Sequence, residues 1–393
     1  MTAFLKGARI MLKENLQELQ QHETPFYVYD LELLRQTLQA AQQEASRYNF
    51  HVHYAMKANA NAPVLAEVLG VGFGADCVSG NEVRRAIENG FSPEHVVFAG
   101  VGKSDAEINY ALEQDIFCFN CESSHELEIL NELAEKKGRK ARIALRINPN
   151  VNAKTHKYIT TGLEENKFGI NAWELESVLE LLKQLPHIEL IGIHFHIGSQ
   201  ITDLTVFKNL CTRVNEFQEW FEAHNVRLEH LNVGGGLGVD YYHPEQQPVP
   251  DFASYFSLFN QFLEVRPGQQ VHFELGRALV AQCGALVSKV LYIKKGITTN
   301  FAILDAGMTE LIRPALYQSY HKIENLTAAP SEEVRYDVVG PICESSDCFG
   351  KAVMLPETRR GDLIALHTAG AYGEVMASQY NLRDKAIAIY LNQ

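Results

Sequence analysis

Several things are scarce in this chain. Only two of its 393 residues are tryptophan, and 35 Lys and Arg face 48 Asp and Glu, for a formal charge of −13. A surface so short of positive charge repels phosphate backbones and anionic lipids, which argues against nucleic acid and membrane surfaces as partners. No apolar run approaches the roughly 18 residues needed to span a bilayer. The opening MTAFLKGARIMLKENLQ interrupts its apolar residues with Lys6, Arg9, Lys13 and Glu14, so no signal peptide is expected and the cytoplasm is the expected location. Cysteines number seven, an odd count with scattered spacing, which does not suit a disulfide scaffold. One CxxC, formed by Cys118 and Cys121 in the run IFCFNC, lacks the second pair of a zinc site. Both are read as ordinary strand residues, and no metal is expected.

What the chain does have is a rhythm. Short β-rich runs stand at residues 52–56, 73–77, 96–99, 116–119, 142–147, 190–196, 230–233 and 271–275. Segments with helical spacing, such as AEINYALEQD and ELEILNELAEKK, lie between them. Eight strands alternating with helices predict an α/β chain organised as a (β/α)8 TIM barrel over residues 35–278, close to the ~250 residues typical of that fold. Beyond residue 280, runs such as ALVSKVLYI, NFAILDA, VRYDVVG, DLIALHT and AIAIYLN carry little helix between them. They predict an all-β domain, sandwich-like or barrel-like, of residues 279–393 joined by 1–34, whose TPFYVYD reads as a strand. Residues 148–167 and 242–251 read as long loops, which in a compact barrel usually have a function.

In such barrels the chemistry sits at the C-terminal ends of the strands. Lys57 follows the first strand, Asp76 closes the second, and Arg146 lies in the fifth. His196, Gly198 and Ser199 follow the sixth, Gly234, Gly235 and Gly236 the seventh, and Glu274, Gly276 and Arg277 the eighth. Each has a plain alternative: a solvated lysine, a tight turn, a satisfied core histidine at His194 or His196, a structural ion pair of Glu274 with Arg277. Together they fit a phosphorylated carbonyl cofactor. A lysine forms a Schiff base with an aldehyde. Glycine loops with Ser199 hold a phosphate. A carboxylate keeps a pyridine nitrogen protonated, which makes the ring an electron sink. An imidazole can lie on its face.

These motifs resemble a known family. YAMKANAN (54–61), HFHIGSQ (194–200), NVGGGLG (232–238), ELGR (274–277), CESSD (343–347) and GAYG (370–373) follow the order of the fold-type III, alanine-racemase-like decarboxylases that use pyridoxal 5'-phosphate. KTHKYITTGLEENKFGI (154–170) and DAGMTELIRPALY (305–317) resemble the diaminopimelate decarboxylase family in particular. The resemblance implies a PLP-binding barrel and decarboxylation of meso-2,6-diaminopimelate, at its D-centre, to L-lysine and CO2, the last step of lysine biosynthesis. It implies Lys57 as the cofactor lysine, His196 stacked on the ring and Glu274 at its nitrogen, with Asp76, Glu82 and Arg146 as supporting charges. Ser199, Gly235, Gly236, Leu275, Gly276, Arg277 and Tyr372 would complete the cofactor site, Leu275 standing where the family usually has proline. Arg277, Arg313 and Tyr317 would bind the substrate's distal carboxylate, Glu344 its distal amine, and Tyr372 would line the same site. Cys343 would protonate the product from the partner subunit of a homodimer with shared active sites, and Lys167 would pair with Asp347 across its interface. The alternatives are a related decarboxylase acting on carboxynorspermidine, arginine or ornithine, a racemase, which Glu274 disfavours, and a non-catalytic PLP-binding protein.

Overall fold

The structure, a computed structural model, describes residues 12–151 and 167–392. The long loop expected at 148–167 therefore lies almost wholly outside the described residues. Strand β1 (Phe26–Asp30) belongs to a second sheet, outside the barrel. The next eight are β2 (Phe50–Ala55), β3 (Gly74–Cys77), β4 (Val96–Phe98), β5 (Cys118–Cys121), β6 (Ala141–Arg146), β7 (Ile188–His194), β8 (His230–Asn232) and β9 (Gln270–Leu275). Each runs parallel to the next, and β9 returns to β2, so they close a barrel. All eight match the runs expected from the sequence, with ends shifted by at most two residues. Cys118 and Cys121 are buried residues of β5, as expected.

The turns out of the strands are set by polar residues at the starts of the helices. Ser79 and Ser123 accept the backbone N–H of Glu82 and Glu126, and Ser104 forms a reciprocal capping box with Glu107. Strand alternation then divides the work on β9. Phe273 points outward among Phe50, Phe256 and Phe259, at centroid distances of 5.1, 5.0 and 4.9 Å. His272 and Glu274 point inward. A Phe273→Ala change would cost about 3–5 kcal/mol and would loosen the strand that aims Glu274.

The barrel and a second unit separate by contact: Leu38–Gly238 with Asp251–Gly276, and Met1–Thr37 with Val239–Pro250 and Arg277–Gln393. Val239–Pro250 falls inside the span that the sequence suggests for the barrel, yet it groups with the second unit. Gln282 Nε2 donates to the carbonyls of Pro244 and Gln247, and Lys322 pairs with Glu245 at 2.8 Å. The second unit is an eight-stranded sheet around the long β10 (Gly284–Lys295). Its first half pairs antiparallel with β1 and with a strand at Leu363–Leu366, and its second half with a strand at Asn300–Leu304. The N-terminal β1 also pairs parallel with the C-terminal strand Ile387–Leu391. Phe26, Val28, Ala285, Val287, Ala365 and Leu391 form the core between them.

TIM-barrel interiors are usually filled with branched apolar residues. This one has a small apolar cluster of Val97, Cys118, Ala144 and Ile191 beside many polar residues, and its lower layer is a chain of histidines. His53 Nδ1 lies 3.1 Å from the His95 carbonyl, His53 Nε2 lies 2.9 Å from His272 Nδ1, and His272 Nε2 lies 3.0 Å from His230 Nδ1. A carbonyl only accepts, so His53 donates from Nδ1, and neutral rings then place every following hydrogen on Nδ1. Gly74 makes room: a Cβ there would sit 2.5 Å from His53 Nδ1 and 2.3 Å from the His95 oxygen. His51 stacks on His272, and Arg142, Glu94 and Asp115 line the same cavity of about 660 Å³. Burial pushes His53 down from 6.5 to about 4, and pushes His272, His230 and His51 down as well.

These rings are neutral when folded and take up protons when unfolded. Their contribution to stability is therefore full above pH 6.5 and is lost as the pH falls toward 4. The urea midpoint is expected to drop between about pH 7.5 and about pH 5, and His272→Gln to flatten that drop while lowering the midpoint at the higher pH. A wild-type midpoint independent of pH over this range would contradict the neutral chain.

Candidate active site

The upper layer of the barrel gathers the ionisable residues expected from the sequence. Lys57 lies in a single 3-10 turn just past β2, and its Nζ donates to Asp76 Oδ2 at 3.0 Å. Asp76 is wholly buried, and its Oδ1 has no hydrogen-bond partner. Across the barrel, Glu274 is also buried but well supplied. Asn120 Nδ2 and Asn232 Nδ2 donate to its Oε1 at 3.0 and 2.8 Å, and His194 Nε2 lies 2.9 Å from its Oε2.

The two carboxylates are driven apart. Burial raises Asp76, the nearby Glu274 raises it further, and Lys57 only partly offsets them. Burial alone would raise Glu274 too, but His194, by charge and hydrogen bond, and then Lys57 hold it well below the usual carboxylate range. Such a divided pair separates a permanent anion from a group that can take a proton.

His196 follows β7 by two residues and is half-buried. Burial, then Arg146 and Lys57, pushes it down to about 3, so it presents a neutral ring. The Gly235 N–H approaches its Nδ1 at 3.5 Å. The glycine loop is as tight as its sequence suggests. Gly234 takes φ +70°, and a Cβ on Gly235 would lie 1.9 Å from the Glu274 carbonyl. Ser199 lies on the segment paired with this loop, where Ile201 N–H donates to the Gly236 carbonyl and Gly238 N–H to the Ile201 carbonyl. Leu275 is buried on the opposite face of β9 from Glu274, so it offers a cofactor backbone only. Gly276 ends the barrel unit.

Two expected supporting charges are committed locally. Glu82 accepts the Val78 N–H at 2.7 Å at the start of its helix, and Arg146 pairs with buried Glu122 at 2.9 Å.

The second unit holds the remaining candidates. Arg277 Nη1 donates to the Tyr241 hydroxyl at 2.6 Å, and its guanidinium stands 4.8 Å from the Tyr372 ring centroid. Arg313 stands 5.5 Å from the Tyr241 ring and 5.7 Å from the Tyr317 ring. It donates to His321 Nε2 and Ser319 Oγ at 3.4 and 3.2 Å, while His321 Nδ1 donates to the His367 carbonyl at 2.9 Å. Both arginines are buried, and among the described residues no carboxylate pairs with Arg313. Burial would raise the Tyr241 phenol, but Arg277 and Arg313 bring it below its usual value. Cys343 is exposed, and Glu344 accepts from the Tyr380 hydroxyl at 2.9 Å. Asp347, expected to face Lys167 of another copy, is buried in its own chain and accepts from the backbone N–H groups of Met308 and Ile342.

Comparison with known proteins places this geometry. The model of the pyridoxal-dependent decarboxylase, pyridoxal binding domain, matches residues 31–281. A diaminopimelate decarboxylase from Bacteroides thetaiotaomicron is 58% identical over 363 residues, covering 92% of this chain and 94% of that protein. The chain belongs to the diaminopimelate decarboxylase family of pyridoxal-dependent decarboxylases. A crystal structure of the Helicobacter pylori diaminopimelate decarboxylase complexed with L-lysine matches it with a TM-score of 0.90 at 41% identity, over 96% of this chain and 94% of that one. One from M. jannaschii, also in complex with L-lysine, matches with a TM-score of 0.87 at 33% identity over 96% of this chain and 89% of that one.

The residues present fit this family's cofactor, pyridoxal 5'-phosphate. Lys57 offers an amine, Glu274 an anion for a ring N–H, His196 a flat neutral face, and the glycine loop a backbone packed too closely against Phe195, Gly198 and Glu274 for any side chain. Sequence reasoning missed Asn120, Asn232, Tyr241, Ser319 and His321. The advance signals were Asn120 inside the apolar run IFCFNC and Asn232 at the head of NVGGGLG. Gly235→Ala is expected to weaken cofactor retention by roughly tenfold or more, measured by equilibrium dialysis of the protein with pyridoxal phosphate. Unchanged retention would mean that this loop does not hold the phosphate.

Proposed function

We propose that this chain decarboxylates meso-2,6-diaminopimelate to L-lysine and CO2, using pyridoxal 5'-phosphate on Lys57. The observation that carries this reading is the 58% identity to a diaminopimelate decarboxylase across 92% of the chain. The local geometry supports it. The bound cofactor supplies an electron sink for the pair left behind when CO2 departs. Glu274 keeps the proton on the ring nitrogen. Asp76, whose proton affinity is raised by burial, accepts from Lys57 Nζ at 3.0 Å and so holds that amine in place. His196 bears on the ring face. Ser199, Gly235, Gly236, Gly276, the Arg277 backbone and Tyr372 hold the phosphate, with the backbone of Leu275 beside them.

Substrate choice follows from charge. The end of diaminopimelate that is retained carries a carboxylate and an ammonium. Arg277 and Arg313, which lie against tyrosine rings and donate to the Tyr241 hydroxyl and to His321 and Ser319, suit the carboxylate, with Tyr317 beside them. Glu344 suits the ammonium. A substrate with only a cation at that end would meet Arg313 and be repelled. Cys343 is exposed within its own unit, which suits a thiol that donates its proton in a second copy. The working form is thus a homodimer with shared active sites, and its place is the cytoplasm. Among the described residues, no helix is long and apolar enough to cross a membrane.

The test is a direct assay of the purified protein. With pyridoxal phosphate and meso-diaminopimelate it is expected to release CO2 and L-lysine in equal amounts, and Lys57→Ala to abolish both. Arg313→Met is expected to raise KM for meso-diaminopimelate by roughly 10–100-fold through loss of a charge-assisted contact. Turnover of ornithine or arginine in preference to meso-diaminopimelate would overturn the assignment.

A further inference from the structure

The polar set around Glu274 has a division of labour that the family chemistry does not specify. Three donors from three different strands converge on one buried carboxylate. Oε1 takes two of them, from Asn120 on β5 and Asn232 on β8, while Oε2 takes one, from His194 at the end of β7. A carboxylate has about four acceptor positions, so one remains, on the oxygen that His194 also holds. Asn232 is fixed at both ends, because its Oδ1 accepts the Gly234 N–H at 2.9 Å. The Glu274 N–H in turn donates to the Gly234 carbonyl at 2.8 Å. The amide pair therefore locks the plane of the carboxylate to the glycine loop. His194 is left as the group that shares Oε2 with whatever occupies the last acceptor position. Its other nitrogen, Nδ1, is buried without a hydrogen-bond partner, so this ring is anchored through Nε2 to Glu274.

We propose that His194 is the positioning residue that holds Glu274 Oε2 anionic and aimed, and thereby sets how firmly the cofactor's ring nitrogen keeps its proton. Asn120 and Asn232 fix the other oxygen and the plane. This rests on the decarboxylase reading above. Loss of the His194 N–H frees Oε2 to turn and raises the proton affinity of Glu274. The ring nitrogen is then protonated for less of the time, and its pull on the lysine-linked nitrogen weakens.

The test compares His194→Gln with His194→Met, two side chains of similar length of which only the first can donate an N–H. Each is read by kcat, by KM, and by the pH midpoint of the absorbance band of the resting cofactor-loaded protein. His194→Met is expected to lower kcat by roughly 30-fold or more, to move KM less than about threefold, and to shift the band midpoint upward by about half a unit or more. His194→Gln is expected to stay within about fivefold of wild type in kcat, with its midpoint unmoved. If His194→Met does not fold, His194→Leu, also unable to donate, takes its place and is expected to move kcat and midpoint in the same direction. Met and Gln variants that behave alike, or a folded donor-less variant whose midpoint and kcat match wild type, would overturn the proposal. A wild-type protein that forms no band, or turns over no diamino acid, would instead overturn the decarboxylase reading.

Discussion

A buried negative charge at the centre of a barrel is the constraint around which this active site is arranged. An isolated carboxylate in an apolar interior neutralises itself rather than stay charged. Glu274 stays anionic because three other strands of the barrel each deliver one hydrogen-bond donor to it. That requirement accounts for residues that look misplaced in a barrel core: Asn120, Asn232 and His194 stand where branched apolar side chains normally pack. The outward partner of Glu274, Phe273, sits in an aromatic cluster that fixes the height and angle of the strand. Stability and chemistry are thus joined in two adjacent residues of β9.

The same logic separates Glu274 from Asp76. Both are carboxylates in one barrel mouth, and both are desolvated. Glu274 has donors to spare, whereas Asp76 has Lys57 and one oxygen with no partner. Their proton affinities therefore diverge, and the pair offers a fixed anion and a proton acceptor. The lower histidine layer solves a similar problem differently. Its rings stay neutral, and His53, His272 and His230 bond one another in a chain, which leaves this end of the barrel sensitive to acid.

Much of this was legible in the sequence, for physical reasons. The barrel strands are buried on both faces, so they appear as short apolar runs, and their spacing is set by the helices between them. Lys57, His196, the triple glycine and Glu274 were legible because each stands directly after or at the end of such a run, where barrel chemistry gathers. The resemblance of the ordered motifs then supplied the cofactor and the reaction class. The supporting shell was not legible. Asn120 and Asn232 occupy strand positions that read as filler, and nothing local says that their amides point at a carboxylate 154 or 42 residues away in the chain. Glu82 and Arg146 were legible as charges, but not their local commitments to Val78 and Glu122. Tyr241 and His321 became visible only once the fold had set them against Arg277 and Arg313.

Glu274 acts as a permanent anion, and Glu274→Gln removes that charge alone. The substitution preserves shape and leaves Lys57 untouched. The account predicts that the cofactor-loaded variant keeps its visible lysine-linked absorbance band while kcat for meso-diaminopimelate falls roughly 10³-fold. A variant that keeps kcat within about tenfold of wild type would contradict it, because the charge at that position would then not be what sustains the chemistry.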